Sequence, residues 1–120
     1  MMREKTGYRA VARGLPMSAK KVRPLADHLR RRSYPEAVSI LENLPHKGAR
    51  LLEKVIKSAA ANALYTTKQL DESSLFIKEL LIDEGRQEYR VWPRARGRAD
   101  RLIKRSCHIS VTLDVKGELK

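Results

Sequence analysis

The chain reads as an α+β protein: three helices packed on a small three-stranded antiparallel sheet, with a long protruding basic β-hairpin. Three observations carry that expectation. Apolar residues recur with helical spacing in three stretches between Ser18 and Leu64. Cys107–Val115 instead alternates strictly, apolar at odd and polar at even positions, as a half-buried strand does. Between the strand-like runs Leu75–Ile82 and Cys107–Val115 lies Asp83–Arg105, where alternation gives way to charge. From Arg86 to Arg105 eight Arg or Lys stand against two acids, Glu88 and Asp100. If the flanking runs pair, that stretch is the outer half of a hairpin that leaves the protein body.

With 120 residues the chain suits one domain with a single modest core. The expected body covers residues 8–82 and 106–116, the hairpin about 83–105, and the termini are short and mobile. A formal net charge of +12, spread along the chain, costs self-repulsion and suits a polyanionic partner. No apolar run approaches the roughly 20 residues of a membrane span, and the opening residues show no signal-peptide pattern. The single cysteine, Cys107, has no partner for an internal disulfide, which fits a reducing compartment such as the cytoplasm. One Trp, one Phe and four Tyr are too few for a platform that stacks many bases.

Taken in order, Met1–Gly7 is polar and aperiodic and reads as a mobile arm. Tyr8–Arg13 is a weak strand closed by Gly14 and Pro16. Ser18 then offers an N-cap to a helix with Val22, Leu25, Ala26 and Leu29 on its inner face and Arg30-Arg31-Arg32 at its C-terminal end, where cations oppose the dipole. Pro24 requires either a kink or an irregular first turn there. Ser33-Tyr34-Pro35-Glu36 is a capping box that opens a short second helix to about Asn43, with Ala37, Val38, Ile40 and Leu41 inward.

After Pro45 a long third helix is expected over about Lys47–Leu64, burying Ala49, Leu52, Val55, Ile56, Ala59, Ala60 and Ala63. Its alanines permit close approach of a neighbour. Lys47, Arg50, Lys54 and Lys57 line its other side as a solvated face or as an RNA contact. A polar linker, Thr66–Ser74, precedes Leu75–Ile82, a strand by content whose alternation is imperfect.

Within the hairpin, Arg94, Arg96 and Arg98 alternate with Ala95, Gly97 and Ala99. In an extended chain this sets guanidinium groups along one edge and nearly bare backbone along the other, a thin ribbon suited to a crevice. Arginine suits phosphate because its planar fork bonds two oxygens and stays charged. Pro93 and Gly97 are natural turn residues for the tip. Ten residues per arm would reach about 33 Å. Because a bare two-stranded ribbon is marginal in water, the outer half should be mobile until a partner orders it. Tyr89 and Trp92 either pack along the ribbon or stack on a base.

Taken together, Ser18-Ala19-Lys20-Lys21-Val22-Arg23, Ser58-Ala59-Ala60-Ala61-Asn62-Ala63, Asp83-Glu84-Gly85, Pro93–Asp100 and Lys104–Val111 closely resemble the bacterial large-subunit ribosomal protein family uL22. The match runs over nearly the whole chain. Ala19 stands where the family often has proline, Cys107 where it usually has serine, and Arg86–Val91 is a variable part of the stem.

The resemblance implies a globular body on the large subunit near the exit of the nascent-peptide tunnel. Its hairpin would run through ribosomal RNA into the tunnel wall, beside a loop of a second ribosomal protein and the passing nascent peptide. It also implies a part in subunit assembly and proximity to the tunnel's macrolide site. The implied tip is Arg94, Ala95, Arg96, Gly97 and Arg98. The candidate RNA-binding residues are Arg13, Lys20, Lys21, Arg23, Arg86, Arg90, Trp92, Arg94, Arg96, Arg98, Arg101, Lys104, Arg105 and His108. Contacts to shape and backbone would give little base-edge specificity.

Two other classes compete. A nuclease would need metal-binding carboxylates, for which Asp83, Glu84, Glu88 and Asp100 are available. Adjacent Asp83 and Glu84 point to opposite faces of a strand, however, and charge balance for nearby arginines explains these acids. No P-loop, G-x-S-x-G or H-E-x-x-H motif occurs, and His28, His46, His108 and Cys107 lack metal-ligand spacing, so no cofactor or metal is expected. A free RNA- or DNA-binding architectural protein is the alternative binding class. A membrane role is disfavoured because the basic stretch has no apolar face to insert.

Overall fold

In the computed structural model, residues 7–67 and 71–115 are described; the expected mobile termini and part of the polar linker lie outside them, except Gly7 of the N-terminal arm. The order is β1 (Tyr8–Leu15), α1 (Ala19–Asp27), α2 (Tyr34–Glu42), α3 (Lys47–Thr66), β2 (Leu75–Glu84), β3 (Glu88–Pro93), β4 (Ala99–Lys104) and β5 (Cys107–Val115). Two antiparallel sheets result, one of order β1-β5-β2 and a two-stranded β3-β4 ribbon. The fold is therefore the α+β arrangement anticipated.

The core lies between one face of the three-stranded sheet and the helices. Cys107, Ile109, Val111 and Leu113 of the central strand are fully buried, while His108, Ser110 and Thr112 look outward, as strict alternation requires. From α3, Ala49, Leu52, Val55, Ile56, Ala59, Ala60 and Ala63 are all buried. Gly48 is buried with them, because a Cβ there would come within 3.1 Å of Leu25 Cδ1 and 3.3 Å of Met17 Sδ. Small residues thus let α3 sit close to its neighbours.

The imperfect alternation of β2 is a bulge. Ile77 pairs with Leu113 and Glu79 with Thr112, so Lys78 is an extra residue. It shifts parity: Leu75 and Ile77 point inward before it, Leu80 and Ile82 after it. On the opposite side, Phe76 stands across from Asp114, which is itself buried. Asp114 accepts hydrogen bonds from the Val115 N–H (2.8 Å) and from Lys78 Nζ (3.5 Å).

Several local expectations are corrected. Helix α1 stops at Asp27 rather than continuing through Arg30-Arg31-Arg32. Arg31 is left-handed (φ 67°), and the chain turns to dock on β2: Arg31 N–H donates to the Ile77 carbonyl and Ile77 N–H to the Arg32 carbonyl. Pro24 lies inside α1 on its exposed side, and the first turn closes tightly, Lys21 N–H to the Ser18 carbonyl. Ser18 and Ser33 occupy N-cap positions but make no side-chain capping bond. The capping box fails because Glu36 pairs with Arg32 at 2.6 Å instead of reaching back to Ser33.

Strand β1 runs two residues past Arg13 through a bulge between Ala12 and Leu15, where Gly14 takes φ 66°. Helix α3 continues to Thr66.

The outer edge of β2 is covered by basic side chains. Arg23 Nε and Nη2 both donate to the Ile82 carbonyl (3.3 and 3.2 Å), and Arg30 Nε donates to the Leu80 carbonyl (3.1 Å). Outward carbonyls that could template a foreign strand are thereby occupied.

Candidate nucleic-acid interface

The hairpin is one long ribbon interrupted at a root. The body's pairing ends at Glu84–Cys107, Gly85 N–H donates to the Ser106 carbonyl (2.9 Å), and pairing resumes at Glu88–Lys104. Arg86 and Gln87 therefore oppose Arg105 alone, a one-residue mismatch between the arms. Ser106 Oγ locks it by donating to the Arg86 carbonyl (2.7 Å). Gly85 is needed there, since a Cβ would fall 2.4 Å from Ser106 Oγ and 3.1 Å from the His108 ring. His108 is held as well, its Nδ1 accepting the Gly14 N–H at 3.0 Å. That bond places the neutral ring's proton on Nε2.

Beyond the root every residue of β3 and β4 is exposed on both faces. The molecule accordingly extends 66 × 40 × 24 Å, with a radius of gyration of 17.7 Å. A compact chain of this length would have about 14 Å. Among the described residues, five of the eight exposed large apolar side chains, Tyr89, Val91, Trp92, Leu102 and Ile103, sit on this ribbon. Apolar side chains concentrated on an arm with no core behind it mark a contact surface.

Alternation sorts the ribbon into two faces. Trp92 pairs with Asp100, Arg90 with Leu102 and Glu88 with Lys104 on one; Val91 pairs with Arg101 and Tyr89 with Ile103 on the other. Each face carries one aromatic ring under a guanidinium: Arg94 lies 5.3 Å from the Trp92 centroid, and Arg101 5.6 Å from Tyr89. Each ring thus meets one arginine of the ribbon and is otherwise more than half exposed.

The tip differs from its expected form. Ala95–Gly97 makes a single tight turn, with Arg96 (φ 61°) and Gly97 (φ 73°) left-handed and Arg94 N–H bonded to the Arg98 carbonyl at 2.6 Å. Arg94, Arg96 and Arg98 therefore do not share one extended edge. Pro93 is the last paired residue of β3, opposite Ala99, and Gly97 lies in the turn itself. Arg94 Nε also donates to Asp100 Oδ2 at 2.7 Å. Asp100 thus balances a neighbouring arginine.

The other candidates divide by location. Arg86, Arg90, Arg96, Arg98, Arg101, Lys104 and Arg105 are exposed along the ribbon. Lys20 and Lys21 are exposed in the first turn of α1, and Arg13 beside the β1 bulge. A cavity of about 80 Å³ joins two of these groups, lined by Lys20 of α1 and by Gly85, Arg105 and Ser106 of the root. Arg23, by contrast, is spent partly on the Ile82 carbonyl.

Of the cations on the far side of α3, Arg50 and Lys57 have local partners. Arg50 bonds the end of α2 and Glu53, and Lys57 lies 2.8 Å from Glu53; Lys47 and Lys54 are exposed. Sequence reasoning missed Ser106 as the root lock; its only signal was a short polar residue beside Gly85 in a pairing that the sequence does not print.

The chain is thus a globular α+β body that carries a basic, two-faced ribbon without a core of its own. The chain belongs to the ribosomal protein L22p/L17e family, whose model matches residues 10–114. It is 54% identical over 113 residues to the large ribosomal subunit protein uL22 of Borreliella afzelii (strain PKo), covering 94% of each chain. It is 56% identical over 113 residues to that of Treponema denticola, covering 94% of this chain and 96% of the relative. The Borrelia duttonii (strain Ly) protein is 57% identical over 104 residues, 87% of each.

Proposed function

We propose that this chain is a structural, non-enzymatic constituent of the large ribosomal subunit in the cytoplasm, built as a single domain. Its body and hairpin bind large-subunit ribosomal RNA and support assembly. The hairpin lines the nascent-polypeptide exit tunnel, next to neighbouring ribosomal proteins, with its 94–98 tip toward the passing peptide. The observation that carries this reading is the β3-β4 ribbon: exposed on both faces and lined with cations, on a chain of this family.

The body supplies a rigid base through the Gly85–Ser106 root, and Lys20, Lys21 and Arg105 extend the basic surface from the ribbon onto α1. Exposed guanidinium and ammonium groups meeting phosphates release counterions, so affinity should fall steeply with salt.

Co-sedimentation of the tagged full chain from lysate tests the reading. Retention with the large subunit through high salt is the expected result. Release as a soluble free protein would favour a loosely bound nucleic-acid-binding protein and remove the tunnel assignment.

A further inference from the structure

Three tip contacts converge on one residue, two through its side chain and one through its main chain. Arg94 donates to Asp100 across the ribbon at 2.7 Å, and its guanidinium lies 5.3 Å from the Trp92 ring centroid. Its main chain closes the turn through the Arg98 carbonyl. The pairing of Trp92 with Asp100 explains the convergence, because it puts both side chains on the ribbon face that Arg94 shares with Trp92. The side chains of Arg96 and Arg98 have no protein partner among the described residues.

We propose that Asp100 is the positioning residue of the hairpin tip: it holds Arg94 over Trp92 as an internal strut and leaves Arg96 and Arg98 as the outward cations. The three tip arginines are then not equivalent. The Arg94–Asp100 pair is neutral as a unit and adds no net charge toward a phosphate. One face of the indole is covered by the protein's own guanidinium instead of standing open to a base. An isolated exposed ion pair is a weak constraint, but here it acts on a side chain whose main chain already closes a tight turn. The two added contacts select one direction for it. The part of this inference that concerns phosphate rests on the RNA-binding reading; the strut itself does not.

Trp92 is the only tryptophan in the chain, so its fluorescence reports the strut in the free protein. Acrylamide quenching of the full-length protein is compared with that of Asp100→Asn and of Arg94→Gln/Asp100→Asn. Both variants should fold as the wild type does, since the tip is remote from the core. Uncovering the indole face is expected to raise the quenching constant about 1.5-fold in both. An unchanged constant in Asp100→Asn, whether or not the double variant changes, would overturn the strut.

The second arm measures binding to deproteinised large-subunit ribosomal RNA against salt. The double variant keeps the pair neutral and should keep the wild-type slope, whereas Arg96→Ala should flatten it by about 0.7–0.9. A double variant that flattens the slope as Arg96→Ala does would show that Arg94 already contacts phosphate and would overturn the division of roles. Failure of the wild type to bind would remove the phosphate part alone, with the quenching arm still deciding the strut.

Discussion

Arg50 gives the sharpest separation of a structural cation from a binding one. It sits in the first turn of α3 and reaches back to the end of α2, a helix with no basic residue in its own last turn. Its Nη2 donates to the carbonyls of Leu41 (3.1 Å), Glu42 (3.2 Å) and Leu44 (2.6 Å), and its Nη1 lies 2.8 Å from Glu53. A cation at a helix C-terminus contributes about 0.3–1 kcal/mol. Hydrogen bonds to a charged group add about 1.5–3 kcal/mol when sheltered.

The Arg50 side chain is 49% exposed, so water replaces part of that loss, and Arg50→Ala should cost about 1–1.5 kcal/mol. For a domain of this size the melting temperature should then fall by about 4–6 °C. Arg50→Lys should recover less than half of it, because a single ammonium cannot serve the α2-end carbonyls and the Glu53 carboxylate from two nitrogens at once, as the planar fork does. Thermal unfolding followed by circular dichroism gives the stability. Binding to large-subunit ribosomal RNA across a salt series gives the slope, which should not move. A melting temperature shifted by less than about 1 °C, together with a slope flattened by about one, would refute the reasoning and make Arg50 a phosphate contact.

Three further outcomes are expected. The Lys57 hydrogen bond, helped by the charges of Lys57 and Arg50, holds the Glu53 carboxyl below the ordinary carboxylate range. Its stabilisation is therefore present above the unfolded-state value and lost as pH falls through the folded-state one. The stability gap between wild type and Glu53→Gln should close on acidification, and a gap constant from neutral pH to about pH 3 would contradict it. Burial pushes the Cys107 thiol up, so a disulfide reagent at mildly alkaline pH should label it only as the protein unfolds; rapid labelling of the native protein would count against the buried setting. Finally, amide hydrogen exchange in the free chain should be fast over 89–103 and slow at Ile109, Val111 and Leu113. Equal protection of ribbon and sheet would refute a hairpin that its partner orders.

Much of the architecture was legible because it is written in local period. The inner face of α3 and the alternation of β5 follow from residue spacing alone, since each side chain's direction is fixed by the element that carries it. The basic stretch announced an arm outside the core for the same reason. What escaped were features whose partners lie far along the chain. The β2 parity break at Lys78 looked like noise until pairing with β5 showed a bulge. Arg30-Arg31-Arg32 read as a helix end, yet the backbone there serves β2 at Ile77, about forty-five residues later. Ser33 and Glu36 matched a capping box, but Arg32 took the carboxylate.

For the candidate site the division is similar. The sequence by itself determined that a cationic arm exists and which residues supply its charge, because charge and period are properties of residues read one at a time. It could not say which of those cations are free. Arg23 and Arg30 turn to β2 carbonyls, Arg50 to the end of α2 and Arg94 to Asp100, and each choice depends on a neighbour brought close only by folding. Tertiary structure decided that point because a guanidinium bonds whichever acceptor the fold places within about 3 Å, and the order of residues along a chain does not contain that distance.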